Sequence, residues 1–250
     1  MQSEGNLESI QNNVRVSVAL ASYNGENFIE EQIDSILKCL GDFDELIISD
    51  DGSTDKTVDI IKQYVEKDNR IKYINGPCCG VVRNFENAIN NCTGDYIFLS
   101  DQDDIWHTDK VLKVLPLLKD SLLVCHNANI YDSRTNKIMG KMQDRIGAKT
   151  TVRGNIIKNS FIGCCMAFRK ELKKFILPFP PAEKIHIHDW WIGLIALKVG
   201  KVYFEKECLI DYRIHDRNTL GFNKTSLMFK IKKRLNMLKT LKKYKPSHKY

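Results

Sequence analysis

The chain has 250 residues, 43% of them hydrophobic and 28% charged, enough to bury one good core with a small appendage. No run of about eighteen apolar residues occurs, which excludes a spanning helix, and the polar stretch 1–13 lacks the apolar segment of a signal peptide, so a cytoplasmic protein is expected. The net charge of +7 is uneven: residues 217–250 carry eleven Lys or Arg and no acid, leaving 27 basic against 31 acidic side chains in 1–216, which argues against a nucleic-acid-binding domain.

In chain order, residues 14–21 (VRVSVALA) read as a buried strand that ends in the turn cluster Ser22-Tyr23-Asn24-Gly25. Residues 26–40 place Phe28, Ile29, Ile33, Ile36, Leu37 and Leu40 at helical spacing. A second buried strand, 45–49 (ELIIS), runs into Asp50-Asp51-Gly52-Ser53, where Ser53 or Thr54 can cap the next helix. A short strand at 71–74, a helix at 84–91 and a buried strand at 96–99 (YIFL) follow; the last enters Ser100-Asp101-Gln102-Asp103-Asp104.

This alternation predicts an α/β fold with a mainly parallel sheet covered by helices. Ligands in such sheets sit beyond the carboxyl ends of the strands, so one crevice is expected to collect all three polar loops. The second half is less regular. It reads as a strand at 122–126, a hairpin at 130–142, a strand at 161–168, a helix at 189–199, and strands at 202–204 and 209–212. Eight cysteines, with Cys78-Cys79 and Cys164-Cys165 adjacent and no C-x-x-C spacing, are expected to be reduced and mostly buried.

Three carboxylates at one strand end, Asp101, Asp103 and Asp104, repel one another unless a cation lies between them. Hard oxygen ligands suit Mn²⁺ or Mg²⁺, and such an ion would neutralise a departing diphosphate; a solvated acidic loop is the alternative. Asp50 and Asp51 are placed to meet a nucleoside or to cap a helix. Asp189, in His188-Asp189-Trp190-Trp191, fits a general base or a helix N-cap.

The runs SVALASYNGENFIEEQIDSIL, ELIISDDGSTDKT, GDYIFLSDQDDIW, HDWW and YRIH, in that order, resemble the family 2 glycosyltransferases of the GT-A fold over about residues 14–222. The DQDDIW form resembles bacterial enzymes of surface-polysaccharide assembly, rhamnosyltransferases among them. The resemblance implies an inverting transfer from a UDP- or dTDP-linked sugar to a glycan or lipid-linked glycan, in O-antigen or capsule biosynthesis. It implies Ser22, Tyr23, Asp51 and, more weakly, Asp50 at the nucleoside. Asp103 would be the direct metal ligand, Asp101 would lie nearer the ribose or donor sugar, and Asp104 would be able to replace either. His215 would stand by the metal and Asp189 would be the base. Arg83 or Arg213 would supply charge at the diphosphate, with a surface ion pair the alternative for Arg83, and Trp190 and Trp191 would stack on an acceptor sugar, against core packing.

A nucleotidyltransferase is the competing reading, but the loop after the first strand holds no Lys or Arg for a triphosphate. A non-catalytic nucleotide-sugar binder would lack one of the acids, and all are present. The tail, 223–250, interleaves Leu227, Phe229, Ile231, Leu235, Leu238 and Leu241 with lysines. It is expected to form an amphipathic helix that either lies on an anionic membrane at its inner face or packs on the catalytic domain.

Overall fold

Four strands carry the site: β1 (Val16–Ser22), β2 (Glu45–Asp50), β3 (Ile71–Asn75) and β4 (Tyr96–Ser100), parallel and in the order β3-β2-β1-β4. The computed structural model describes residues 14–215 and 226–244; the expectations for 1–13 and for the start and end of the tail lie outside them. Every residue of β1 and β2 is buried, as expected of parallel strands covered on both faces. Helices α1 (Ile29–Leu37), α2 (Thr57–Lys67) and α3 (Val81–Asn91) make the crossovers. Registers Ser22↔Asp50, Asp50↔Asn75 and Leu20↔Ser100 bring the carboxyl ends of all four strands to one edge.

The opposite edge is fastened by Glu45. Burial alone would raise its pKa, but hydrogen bonds from Lys72, Ser17 and Thr93 outweigh that and pull it down to about 2. Its carboxylate accepts from Ser17 Oγ at 2.6 Å, Thr93 N at 2.7 Å and Lys72 Nζ at 2.8 Å, tying β1, β2, β3 and the start of β4 together.

Beyond β4 the sheet changes direction. Strand β8 (Met166–Arg169) runs antiparallel to β4 and to β6 (Leu123–Asp132), which pairs in parallel with β9 (Val202–Ile214). The short β5 (Ile105–Trp106) closes the edge on β9, and β7 (Lys137–Lys141) forms a hairpin with β6.

Three sequence expectations change here. The two strands expected at 202–204 and 209–212 are one strand; register shifts near Asn127 let it pass the exposed Lys206 and Glu207 without losing its partner. The strand expected from residue 161 starts only at Met166, because Gly163–Cys165 form a 3₁₀ turn. Ser53 does not cap α2, which begins four residues later; its hydroxyl donates to Asp50 instead, at 2.6 Å.

The remaining helices are α4 (Lys110–Lys119), which the periodicity did not reveal, α5 (Met142–Ile146), α6 (Val152–Ile157), α7 (Lys173–Ile176), α8 (Ala182–Ile185), α9 (His188–Val199) and α10 (Leu227–Lys243). Helix α9 is buried nearly all round. Helix α10 packs on α6 and α8 with Met237 and Leu241 buried, while Asn236 Nδ2 donates to the Glu183 carbonyl at 3.3 Å. Among the described residues no helix is long and apolar enough to cross a membrane.

Candidate active site

A crevice of about 950 Å³ lies at the carboxyl edge of the parallel strands. Its walls come from the loops after β1, β2 and β4, the Gly163 turn, the start of α9 and the end of β9.

Short polar side chains build the floor. Gln102 clasps the first loop: its Oε1 accepts from Tyr23 N at 2.8 Å and its Nε2 donates to Tyr23 O at 3.0 Å. Gly25 leaves room for this clasp, since a Cβ there would fall 2.3 Å from Gln102 Oε1 and push the amide away. Asn24, at φ 48°, accepts from Thr54 N at 2.8 Å, and its own N–H donates to Ser53 Oγ at 2.8 Å. The first and second loops are therefore one rigid wall.

Ser22, Tyr23 and Asp51 line that wall, with Tyr23 more than half exposed. Asp51 also accepts from Cys79 N at 3.2 Å and Gly80 N at 2.6 Å, fixing the turn before α3. Asp50 is different. Buried, it accepts from Ser22 Oγ at 2.9 Å, Ser53 N at 2.8 Å, Ser53 Oγ and Gly52 N, so its carboxylate is spent within the loop and a place at the nucleoside is withdrawn.

The acidic loop sorts its carboxylates by neighbour. Asp101 and Asp103 face the crevice, and His215 Nε2 meets Asp103 Oδ2 at 2.7 Å. Phe28 stacks on the His215 ring at 4.5 Å between centroids. Asp104 points away: it is buried, and its Oδ1 accepts from Arg213 N at 3.2 Å. It is thus a wall residue rather than a sugar or acceptor contact. Burial and then the Asp103 charge push Asp104 up to about 7, and burial with the Asp104 and Asp103 charges pushes Asp101 up as well.

Two donor sets compete for a cation. Asp101, Asp104 and Cys164 each place a ligand atom within 4.8 Å of the others. That group is largely closed off by Asp104 and Cys164, and a thiol is a poor partner for a hard divalent ion. Asp103 and His215 offer a carboxylate and an imidazole 2.7 Å apart on the open crevice, which Asp101 also lines, and these harder donors suit a divalent ion better.

Asp189 sits in the first turn of α9, buried but lining the crevice. Burial raises it to about 7, against hydrogen bonds from the Trp190 and Gly163 backbone and from Asn159. Asn159, which the sequence reading passed over, reaches Asp189 Oδ1 at 3.5 Å. Gly163 is needed where it stands, because a Cβ would fall 2.7 Å from His188 Nε2.

Other expected site residues lie elsewhere. Trp190 and Trp191 are core side chains, 6% and 2% exposed, whose Nε1 groups donate to the Asn155 and Ile176 carbonyls at 3.0 Å each. Neither reaches the crevice, so the stacking role is withdrawn. Arg83 faces a second cavity, paired with Glu86 and donating to the Phe179 carbonyl at 3.0 Å. Arg213, the other candidate for charge at the diphosphate, holds the acidic loop by donating to the Asp103 carbonyl at 2.9 Å and pairing with Glu31 at 2.5 Å.

A curled, mostly parallel sheet whose strand ends gather acids around an open crevice is the GT-A fold. Residues 17–176 match glycosyl transferase family 2, and the chain belongs to that family of enzymes. It is 31% identical to the dTDP-rhamnosyl transferase RfbG of Shigella flexneri over 237 residues, 88% of this chain and 79% of that one. It is 29% identical to the UDP-Glc:α-D-GlcNAc-diphosphoundecaprenol β-1,3-glucosyltransferase WfgD of Escherichia coli, over 75% of this chain and 71% of that one. The fold is shared with glucosyl-3-phosphoglycerate synthase of Mycobacterium tuberculosis, solved with Mn²⁺, UDP and glucosyl-3-phosphoglycerate. That match has a TM-score of 0.60 at 24% identity and covers 92% of this chain and 83% of that one.

Proposed function

We propose that the protein is an inverting glycosyltransferase that takes a sugar from a UDP- or dTDP-linked donor and passes it to a hydroxyl of a growing bacterial surface polysaccharide. The observation that carries this reading is Asp189, a carboxylate with its affinity for protons raised by burial, opening into the same crevice as Asp101, Asp103 and His215.

Asp189 takes the proton of the acceptor hydroxyl while that oxygen attacks the anomeric carbon. The carbon–oxygen bond on the opposite face breaks, and its electron pair leaves with the diphosphate. A base of pKa near 7 is well matched to that transfer near neutral pH. Asp103 and His215, with Asp101 beside them, would hold Mn²⁺ or Mg²⁺, which would supply positive charge for the diphosphate. Ser22, Tyr23 and Asp51 line the nucleoside end, with the exposed Tyr23 ring available to the base.

In this reading residues 14–222 form the catalytic unit and 223–250 an extension. The names of the two relatives support this reading: one is a dTDP-rhamnosyl transferase and the other uses UDP-Glc on a diphosphoundecaprenol-linked sugar, an acceptor that would be met at the inner face of the cell membrane. The test is a thermal-shift screen of UDP-, dTDP- and GDP-sugars with and without Mn²⁺, followed by product analysis with the stabilising donor. Failure of every donor to stabilise the protein rejects the reading.

A further inference from the structure

Helix α10 has two apolar faces. Met237 and Leu241 turn inward and are buried on the domain. Met228, Ile231, Leu235 and Leu238 run along the other side at spacings of three, four and three, with exposures of 81%, 46%, 50% and 36%. At 100° per residue these four fall within an arc of about 80°. Exposed Lys232, Lys239 and Lys243 form a row along one margin of the strip, and Lys242 lies within it. The helix holds seven Lys or Arg and no acid over about 25 Å.

We propose that this outer face docks the catalytic domain on an anionic bilayer, with Met228, Ile231, Leu235 and Leu238 entering the interfacial layer and the lysine row meeting lipid phosphates. An apolar strip bordered by cations is what such a surface binds. A second copy would set the four lysines of this face against four with no acid between them, and a nucleic acid has no use for the apolar strip. The docking rests on the proposed function only for its purpose. Helix α10 leans on α8, which leads directly into α9 and Asp189, so the docked helix is joined to the base through one short packed segment.

The test is co-sedimentation of the full chain with vesicles of phosphatidylcholine, alone or mixed with an equal part of phosphatidylglycerol, at low and high salt. The expected result is binding to the anionic vesicles that weakens with salt. Replacing Ile231→Ser and Leu235→Ser together is expected to reduce it by about tenfold or more, since each side chain loses most of its apolar burial. Lys232→Glu with Lys239→Glu is expected to abolish the preference for phosphatidylglycerol. Because these side chains are exposed, melting temperature should not fall. Wild-type protein that ignores anionic vesicles at low salt overturns the proposal, as does a serine variant that binds as well as wild type. A dimer in sedimentation velocity that the serine variant dissolves assigns the face to self-association instead. Mn²⁺-dependent UDP binding by the same proteins reports separately on the donor reading.

Discussion

His215 Nε2 lies 2.7 Å from Asp103 Oδ2, joining the loop after β4 to the end of β9 across 112 residues of sequence. Phe28 backs the imidazole, and Arg213, two residues earlier on β9, donates to the Asp103 carbonyl. A carboxylate and an imidazole held from behind in this way are preorganised for a divalent ion, with little side-chain entropy left to lose.

Chelation with EDTA should therefore stop sugar transfer, and added Mn²⁺ should restore it. Asp103→Ala is expected to remove the Mn²⁺-dependent part of UDP binding, and His215→Ala to weaken Mn²⁺ by about tenfold or more. Calorimetric titration of Mn²⁺ in the presence of UDP measures both. Full activity after thorough chelation would reject the metal site.

Asp189→Asn keeps the shape and the contact with Asn159 but cannot accept a proton. Turnover should fall by about 10²–10⁴-fold, while the affinity for UDP with Mn²⁺ stays unchanged. Near-wild-type turnover would remove Asp189 from the role of base.

The proton affinity of Asp189 fixes the pH dependence. Its pKa is raised to about 7 by burial, so the reactive carboxylate is the minor form below that pH and the dominant form above it. The rate at saturating donor should rise with pH through about 7 and then level off. Stability should move the other way. The folded protein retains protons on Asp189 and Asp104 that the unfolded chain releases from about 4 upward. Metal-free protein should thus lose stability as pH rises from about 4 to about 7, a trend that a series of melting curves would show or refute.

The tryptophans separate packing from sugar binding. Trp191→Ala is expected to cost about 3–5 kcal/mol in urea denaturation, because a large buried ring and its bond to the Ile176 carbonyl are both lost. Trp190→Phe should leave the KM for acceptor where it was. A large rise in that KM would return Trp190 to the acceptor site.

The parallel half of the sheet was legible from the hydrophobic pattern of the sequence. Runs such as VSVALA and ELIIS are apolar on both faces, and a strand of that kind is stable only in the middle of a covered parallel sheet. The acids of the crevice were legible for a related reason: polar clusters that follow buried strands fall at one edge once the crossovers are right-handed. The short helices α6 and α8 and the long β9 were not legible, since their residues are set by what they pack against rather than by a period.

Asp50 and Asp51 are adjacent identical residues, and so are Trp190 and Trp191; neighbouring sequence does not tell which of a pair faces a ligand. That depends on contacts from distant segments, such as Ser22 spending the Asp50 carboxylate and Asn155 and Ile176 taking the indole N–H groups. The sequence by itself determined that acids would gather at the ends of parallel strands, because hydrophobic runs and the polar clusters that follow them are local properties; the late histidine came from the family resemblance alone. Only the tertiary structure decided that Asp103 pairs with His215 while Asp104 turns inward, because burial and hydrogen-bond partners are supplied by residues more than a hundred positions away.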